Sequence, residues 1–249
     1  MRTAEYETMF RVEETHWWYR ALHRLILDTL ERELPDWQSK TILDAGCGTG
    51  LMLQQLGNPD KNVGVDLAEE AISFCRRRGL NNVRQADICA LPFADGSFDA
   101  VICASVLYHQ WVKDPDKALR ELRRVLRLGG LLIINVPAFQ FLHSAHDEAV
   151  MTARRFKKDE IRRLLGKNSF LARRLTYWVT LLFPLAVVAR TLGGSTSGRD
   201  FEAPSESFRN QLFAFVMALE LRFIRKFSLP FGVALLAVAE NATDALREA

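Results

Sequence analysis

Three aspartates, each closing a short predicted strand, and three glycines at alternate positions directly after the first are the residues of this chain best suited to holding a reactive ligand. Thr41-Ile42-Leu43-Asp44 leads into Ala45-Gly46-Cys47-Gly48-Thr49-Gly50, and then into the helix-compatible Leu51-Met52-Leu53-Gln54-Gln55-Leu56. Glycine accepts positive φ and lets a ligand approach the backbone with no Cβ in the way. A helix beginning after such a turn offers unpaired N–H groups to electron-rich atoms. Twenty-two residues beyond Asp44, the run Asn62-Val63-Gly64-Val65 ends in Asp66. That is the spacing at which a doubly wound sheet sets an acid beside a ribose, whose two hydroxyls can donate to one carboxylate. A third run, Asn82-Val83-Arg84-Gln85-Ala86, ends in Asp87. The set describes a site for a nucleoside-containing cofactor. An acid directly before the turn, at Asp44, repels a pyrophosphate and attracts an ammonium.

Strands must carry these acids, and the intervening sequence supplies helices to support them. Glu69 to Arg78 reads as a helix whose Ala71, Ile72, Phe74 and Cys75 face a sheet, with three arginines complementing the dipole at its end. The turn within Leu91 to Asp99 leads to Ala100-Val101-Ile102-Cys103-Ala104, an all-apolar strand of the kind buried on both faces of a parallel sheet. Its carboxyl end runs through Ser105-Val106-Leu107-Tyr108-His109, where open α/β sheets hold their ligands. Asp114-Pro115 starts a helix predicted to end at Gly129-Gly130, before a fifth strand from Leu131 to Pro137. This alternation with right-handed crossovers specifies an α/β fold with a doubly wound sheet.

The order Asp44-x-Gly46-x-Gly48-x-Gly50 differs from the dinucleotide fingerprint G-x-G-x-x-G. It resembles the first motif of class I S-adenosylmethionine-dependent methyltransferases. Over residues 41–137 the chain is similar to the small-molecule, type 11-like branch, in which Phe-Ala-Asp-Gly-Ser-Phe-Asp precedes strand four and Arg-Val-Leu-x-x-Gly-Gly precedes strand five. Leu128 departs from the proline usual there. His16-Trp17-Trp18-Tyr19, His143 to Glu148 and Arg154-Arg155-Phe156 resemble, more loosely, segments of bacterial members associated with secondary-metabolite or polysaccharide pathways. The resemblance implies one domain over 1–249, with an N-terminal flap and helix (1–38), a cofactor-binding core (39–137) and a substrate-side region (138–249). It implies a seven-stranded, mostly parallel, Rossmann-like sheet. A helical insertion at about 179–227 then precedes a last, antiparallel strand at about 232–240, next to a sixth at Phe170 to Tyr177.

The same resemblance implies S-adenosyl-L-methionine as cofactor, with no metal. Gly46, Gly48 and Gly50 then shape the turn, Asp44 meets the methionine end, Asp66 the ribose and Asp87 the adenine. Ala45, Cys47, Leu67, Ile88, Ala104 and Tyr19 complete the cofactor set, while Trp17, Tyr19, Arg20, Tyr108 and His109 face the substrate. Methyl transfer from a sulfonium is an in-line displacement needing alignment and exclusion of water. A base helps where the acceptor must lose a proton, and the candidates are His109, His143 and His146. The expected reaction is O-methylation of a small hydrophobic or aromatic metabolite in biosynthesis, with nitrogen and carbon acceptors open.

Two stretches allow alternatives. The consecutive rings of His16-Trp17-Trp18-Tyr19 are costly to leave in water. They form either a flap over the cleft or the means by which the helix bearing Leu22, Leu25, Ile26 and Leu30 docks on the sheet, with Trp18 on that helix's stripe. In Phe208 to Phe227, one row is Leu212, Phe215, Leu219, Phe223 and Phe227, and beside it lies Phe213, Met217, Leu221 and Ile224. So wide an apolar face calls for the sister segment 179–192, a second copy in a homodimer through 179–227, an apolar substrate, or a lipid-like surface.

Composition narrows the partners. With 33 basic and 30 acidic residues the chain has no overall polyanion-binding character, although residues 151–200 hold 11 Lys or Arg against 3 Asp or Glu. The basic 154–174 stretch therefore keeps a nucleic-acid methyltransferase or binder as an alternative to a small-molecule enzyme, as the apolar insertion keeps a lipid-linked substrate at a membrane surface. No Asn/Asp-Pro-Pro-Tyr motif supports the nucleic-acid alternative, and the expectation is no nucleic-acid partner. The four cysteines form no CxxC pair and read as buried thiols in a reducing cytosol. The polar start of the chain lacks the apolar core of a secretory signal, so the expected location is cytoplasmic. The apolar uncharged run Leu175 to Ala189 is 15 residues and contains Pro184, shorter than a bilayer span.

Overall fold

The computed structural model describes residues 3–191 and 207–242, so positions 193–206 of the expected Gly/Ser/Pro-rich loop lie outside the described residues. Seven strands form one sheet: β1 (Ile42–Ala45), β2 (Val63–Asp66), β3 (Val83–Gln85), β4 (Phe98–Ala104), β5 (Leu126–Pro137), β6 (Phe170–Trp178) and β7 (Ala234–Asn241). Their spatial order is β3-β2-β1-β4-β5-β7-β6. The first five run parallel, and β7 is antiparallel to both β5 and β6. This is the doubly wound, mostly parallel sheet with a reversed last strand that the sequence predicts. The helices are α1 (Thr3–Val12), α2 (Trp17–Glu33), α3 (Leu51–Leu56), α4 (Glu69–Arg77), α5 (Pro115–Val125), α6 (Ala145–Ala149), α7 (Lys158–Lys167), α8 (Phe183–Thr191) and α9 (Phe208–Ile224).

The period of two along each strand divides the core. Leu43, Ala45, Val101, Cys103, Leu132 and Ile134 point to one side, where α5 and α7 contribute Leu119, Leu122, Ile161 and Leu165. Ile42, Ala100, Ile102, Leu131 and Ile133 point to the other, against Leu22, Leu25 and Ile26 of α2 and Met217, Leu221 and Ile224 of α9. Both faces of the central strands are covered, which explains their near-continuous apolar sequence.

Two boundaries depart from expectation. Helix α5 stops at Val125, not at Gly129-Gly130, because Leu126 already pairs with Phe98. The glycine pair instead sits in a register shift between Phe98 and Ala100, with Gly129 at φ 77°. The last strand begins at Ala234, two residues late, since Gly232 passes so close to β6 that a Cβ there would lie 2.2 Å from the Trp178 carbonyl oxygen.

The chief partner of α9 is α2, in place of the sister segment 179–192 that the sequence offered first. Asn210 accepts from the Trp17 amide (2.9 Å) and donates to the Thr15 carbonyl (3.0 Å). The Trp17 ring meets Phe213 edge-on at 5.5 Å, and Arg225 pairs with Asp28. The Leu181 amide donates to Glu220 (2.8 Å), which ties α9 to the approach to α8.

The N-terminal segment is latched over the glycine turn. Between α1 and α2, the fully buried Glu13 accepts from the Thr49 hydroxyl and from Arg78, both at 2.5 Å, and Arg78 also bonds the Thr49 carbonyl (3.2 Å). Removing one partner of a buried ion pair strands the other charge out of water. Glu13→Ala should therefore lower unfolding free energy by roughly 3–5 kcal/mol, measured by urea denaturation, whereas Glu14→Ala, at an exposed carboxylate that also meets Arg78, should cost about 1 kcal/mol or less.

Candidate functional site

The order of the strands reverses direction between β1 and β4, the point at which open α/β sheets bind ligands. There the carboxyl ends of β1, β2, β4 and β5 open into a cavity of about 1040 Å³, at the upper end of the range for small-molecule sites. Gly46 and Gly48 of the turn line it, and Asp66, Leu67, Gln85, Asp87 and Ile88 follow along one side. Ala104, Ser105, Tyr108 and His109 form the wall beyond β4, while Tyr6 and Met9 of α1 and Trp17, Trp18 and Tyr19 of α2 close over it. The far wall includes Leu182, Leu185 and Ala186 around α8 and Phe213 of α9.

The turn is pinned by the amides of Gly46 and Cys47, which donate to the Val65 carbonyl at 2.7 and 2.9 Å and so tie β1 to β2. Gly46 has φ 94°, and a Cβ on it would lie 2.1 Å from Val106 Cγ2, so both conformation and space demand glycine. Asp66 is fixed by its own loop: Oδ2 accepts from the Gly48 amide and Oδ1 from the Ala68 amide, both at 3.0 Å, with the Tyr6 hydroxyl at 3.5 Å. Burial raises its carboxyl above the usual range, and the two amides offset part of that rise. Asp87 is exposed at the rim, where Oδ1 accepts from the Cys89 amide (2.8 Å).

Asp44 lies beneath this surface. Its side chain is 2% exposed, Oδ2 has no hydrogen-bond partner, and the carboxyl is pushed up to about 7, first by burial and then by the charge of Asp66. Ala45, Cys47 and Gly50 also lie behind the lining. Cys47 is buried with its sulfur 3.8 Å from that of Cys75, and Gly50 precedes α3 at φ 88°.

Beyond β4, Ser105 adopts φ 62°, a strained conformation for a residue with a Cβ and one that clusters at ligand sites. Its hydroxyl accepts from Asn135 (3.2 Å), whose own oxygen accepts from Trp178 Nε1 (2.8 Å). Burial pushes the Tyr108 hydroxyl up to about 12, and His109 down to about 4. His109 Nδ1 accepts from the Trp111 amide (3.4 Å), and its ring stacks on Trp111. Burial opposes ionisation of Asp147, yet the two-pronged grip of Arg155 (2.9 Å at each oxygen) holds its carboxyl below the usual range.

Of the candidate histidines, His109 lines the cavity and His143 is exposed and off its wall, while the side chain of His146 lies outside the described residues. Arg20 likewise is exposed and outside the lining, because it stands a turn-quarter beyond Tyr19 on α2. Tyr6, Met9, Ser105, Asn135, Asp147 and Arg155 join the wall without having been expected there. For α1 a signal existed: Tyr6, Met9, Phe10 and Glu13 recur at helical spacing. Five of the nine basic side chains in 154–174 have partners within the chain, several of them at the surface. Arg155 meets Asp147, Arg162 meets Asp159, Lys167 meets Asp116, Arg173 meets Glu240, and Arg174 donates to the carbonyls of Ile224 and Phe227.

Residues 43–134 match the family described as "Methyltransferase domain". This stretch is a class I S-adenosylmethionine-dependent methyltransferase domain. The chain is 32% identical over 141 residues to a ubiquinone biosynthesis O-methyltransferase of Xanthomonas oryzae pv. oryzae, covering 51% of this chain and 58% of that one. It is 43% identical over 103 residues to a demethylmenaquinone methyltransferase of Thermus thermophilus, covering 38% and 46%. The chain spans about half the length of the curated relatives it matches, or less. Among solved structures, an S-adenosylmethionine-dependent methyltransferase of Thermotoga maritima shares the fold with TM-score 0.57 and 20% identity, covering 96% of this chain and 95% of that one.

The methyltransferase domain implies S-adenosyl-L-methionine as its cofactor, and the residues present fit that molecule. A buried carboxylate oxygen without a partner, at Asp44, suits the ammonium of the methionine end, and the glycine turn admits a ligand against the backbone. No group of three or more His, Cys, Asp or Glu among the described residues has metal-binding geometry.

The raised value of Asp44 fixes the sign of its pH response. In the unfolded chain the carboxyl ionises near pH 4, whereas in the folded protein it does so at about 7. Its contribution to stability is therefore greatest in acid and falls as pH rises between those values. A cation beside it favours ionisation. Binding of S-adenosylmethionine at about pH 6 should release close to one proton, read by calorimetry in buffers of different ionisation heat, and Asp44→Asn should abolish the release.

Proposed function

We propose that this chain transfers a methyl group from S-adenosylmethionine to the oxygen of a small hydrophobic or ring-bearing acceptor. The observation that carries this reading is one cavity with two kinds of wall. Asp66 and Asp87, at and beyond the ends of β2 and β3, line one side, and Trp17, Leu182, Leu185 and Phe213 supply an apolar side. One relative supports an oxygen acceptor by name, being an O-methyltransferase of ubiquinone biosynthesis, and a second, a demethylmenaquinone methyltransferase, supports only the apolar, ring-bearing character of the acceptor. The internal pairing of the basic stretch argues against a nucleic-acid substrate, which requires free cations along a phosphate backbone.

S-adenosylmethionine, when bound, would supply a methyl group on a sulfonium, whose carbon–sulfur bond would break to release the thioether as the acceptor oxygen bonds to the methyl carbon. The protein binds, orients and excludes water. Asp66, held rigid by two amides, keeps acceptor capacity for ribose hydroxyls, and Asp44 meets the ammonium. Trp17, Trp18 and Tyr19 keep water out. His109 stays neutral near pH 7 because burial lowers its pKa to about 4, which makes it a weak base, and its Nδ1 already accepts from the Trp111 amide; its imidazole is therefore suited to orienting an acceptor hydroxyl rather than to removing its proton.

Conversion of S-adenosylmethionine to S-adenosylhomocysteine with a panel of ring-hydroxyl compounds tests the reading. Turnover is expected with apolar phenols or quinols, and turnover with RNA alone would overturn it. Asp66→Ala should weaken cofactor binding by tenfold or more in calorimetric titration, since a charge-assisted hydrogen bond is worth about 1.5–3 kcal/mol. His109→Gln, which keeps a hydrogen-bonding side chain, should lower kcat by less than about 10² with cofactor affinity unchanged; a loss of about 10² or more would assign His109 the base role instead.

A further inference from the structure

Helix α9 carries two apolar rows, and the described residues cover only one of them. Met217, Leu221 and Ile224 are buried, whereas Phe208, Phe215, Phe223 and Phe227 are 79, 62, 59 and 62% exposed, with Leu212 and Leu219 between them. These six residues recur every three or four positions and form one stripe along the helix. Leu181, Leu185 and Val188, at and before α8, add exposed apolar surface. Single exposed apolar residues are ordinary, but a contiguous stripe of this size marks an interaction surface.

The charges beside the stripe select its occupant. Within 207–227 the sole carboxylate is Glu220, which is buried and accepts from the Leu181 amide, while Arg209, Arg222, Arg225 and Lys226 are exposed. Arg225 is engaged by Asp28; Arg222 and Lys226 lie one turn apart on the flank of the stripe. A second copy meeting this face through a two-fold axis would set like charges against each other. An apolar stripe flanked by cations complements anionic headgroups over an apolar interior. None of the described helices is long and apolar enough to cross a membrane, so α9 lies on such a surface and does not span it.

The surface is also continuous with the active-site cavity. Leu185 is exposed outside and lines the cavity inside, and α9 lends Arg209, Asn210 and Phe213 to the same wall. We propose that the outer face of α9, together with the exposed side of α8, seats on an anionic lipid surface, and that an apolar acceptor reaches the cavity between lipid and protein. The acceptor route rests on the function proposed above, whereas the lipid seat does not.

The full-length protein, without cofactor or acceptor, is floated with vesicles of phosphatidylcholine alone and with a one-third share of phosphatidylglycerol. Wild type should partition onto the anionic vesicles at least tenfold better than F215S/F223S, whose exposed positions should leave the melting curve unchanged. R222E/K226E should lose the preference for anionic over neutral vesicles. Absence of wild-type binding to both vesicle types overturns the lipid seat, as does a wild-type dimer, seen by light scattering, that F215S/F223S dissolves while vesicles leave it unbound. Because this measurement needs no turnover, its failure is separate from failure of the methyl-transfer reading.

Discussion

A carboxyl group held out of water at the end of the central strand is the constraint on which this structure depends. Ionising Asp44 in that position is unfavourable until a cation arrives, because neither solvent nor a donor compensates the charge. The pairing of Ala45 with Val65, and of the Gly46 and Cys47 amides with the Val65 carbonyl, sets Asp66 on the neighbouring strand close enough to add its own charge. The unmet electrostatic demand at the turn therefore rests on Asp44 Oδ2, since both oxygens of Asp66 already accept backbone amides.

The N-terminal segment acts on the same turn from above. Glu13, Thr49 and Arg78 connect the lid, the turn and the end of α4 in one buried cluster. Packing and lid roles for the aromatic run are compatible because successive helical residues point about 100° apart. Trp17 meets α9, Trp18 lies 4.7 Å from Trp178 over the sheet, and Tyr19 faces the cavity. Docking the helix and roofing the site are thus one arrangement.

Helix α9 joins the roof to the outer surface. Its inner row completes the core beside α2, and Asn210 satisfies backbone groups of the lid that would otherwise be orphaned. A helix committed on one side and apolar on the other links the cavity wall to whatever the protein rests on.

The sheet, its reversed last strand and the three acids were legible in the sequence. Their signals are local: period-two burial, glycine at a turn needing positive φ, and an acid at the end of an apolar run. Where sequence pattern met a competing tertiary contact, the contact decided. Leu126 left the helical pattern because Phe98 was there to pair with it, and Gly129-Gly130 became a bulge in the strand. The choice among His109, His143 and His146 was equally nonlocal, since their spacing says nothing about which loop turns toward the cleft. Asp147 and Arg155 were silent for the same reason, being eight residues apart yet clasped on one wall. Likewise the two rows of α9 are equivalent as sequence; α2 and the sheet buried one and left the other to solvent. By itself the sequence determined which cofactor the carboxylate set suits, because that recognition sits at strand ends fixed by local chemistry. Only the tertiary structure decided which residues roof the cavity and which apolar face stays open, because those follow from contacts between segments nearly 200 residues apart.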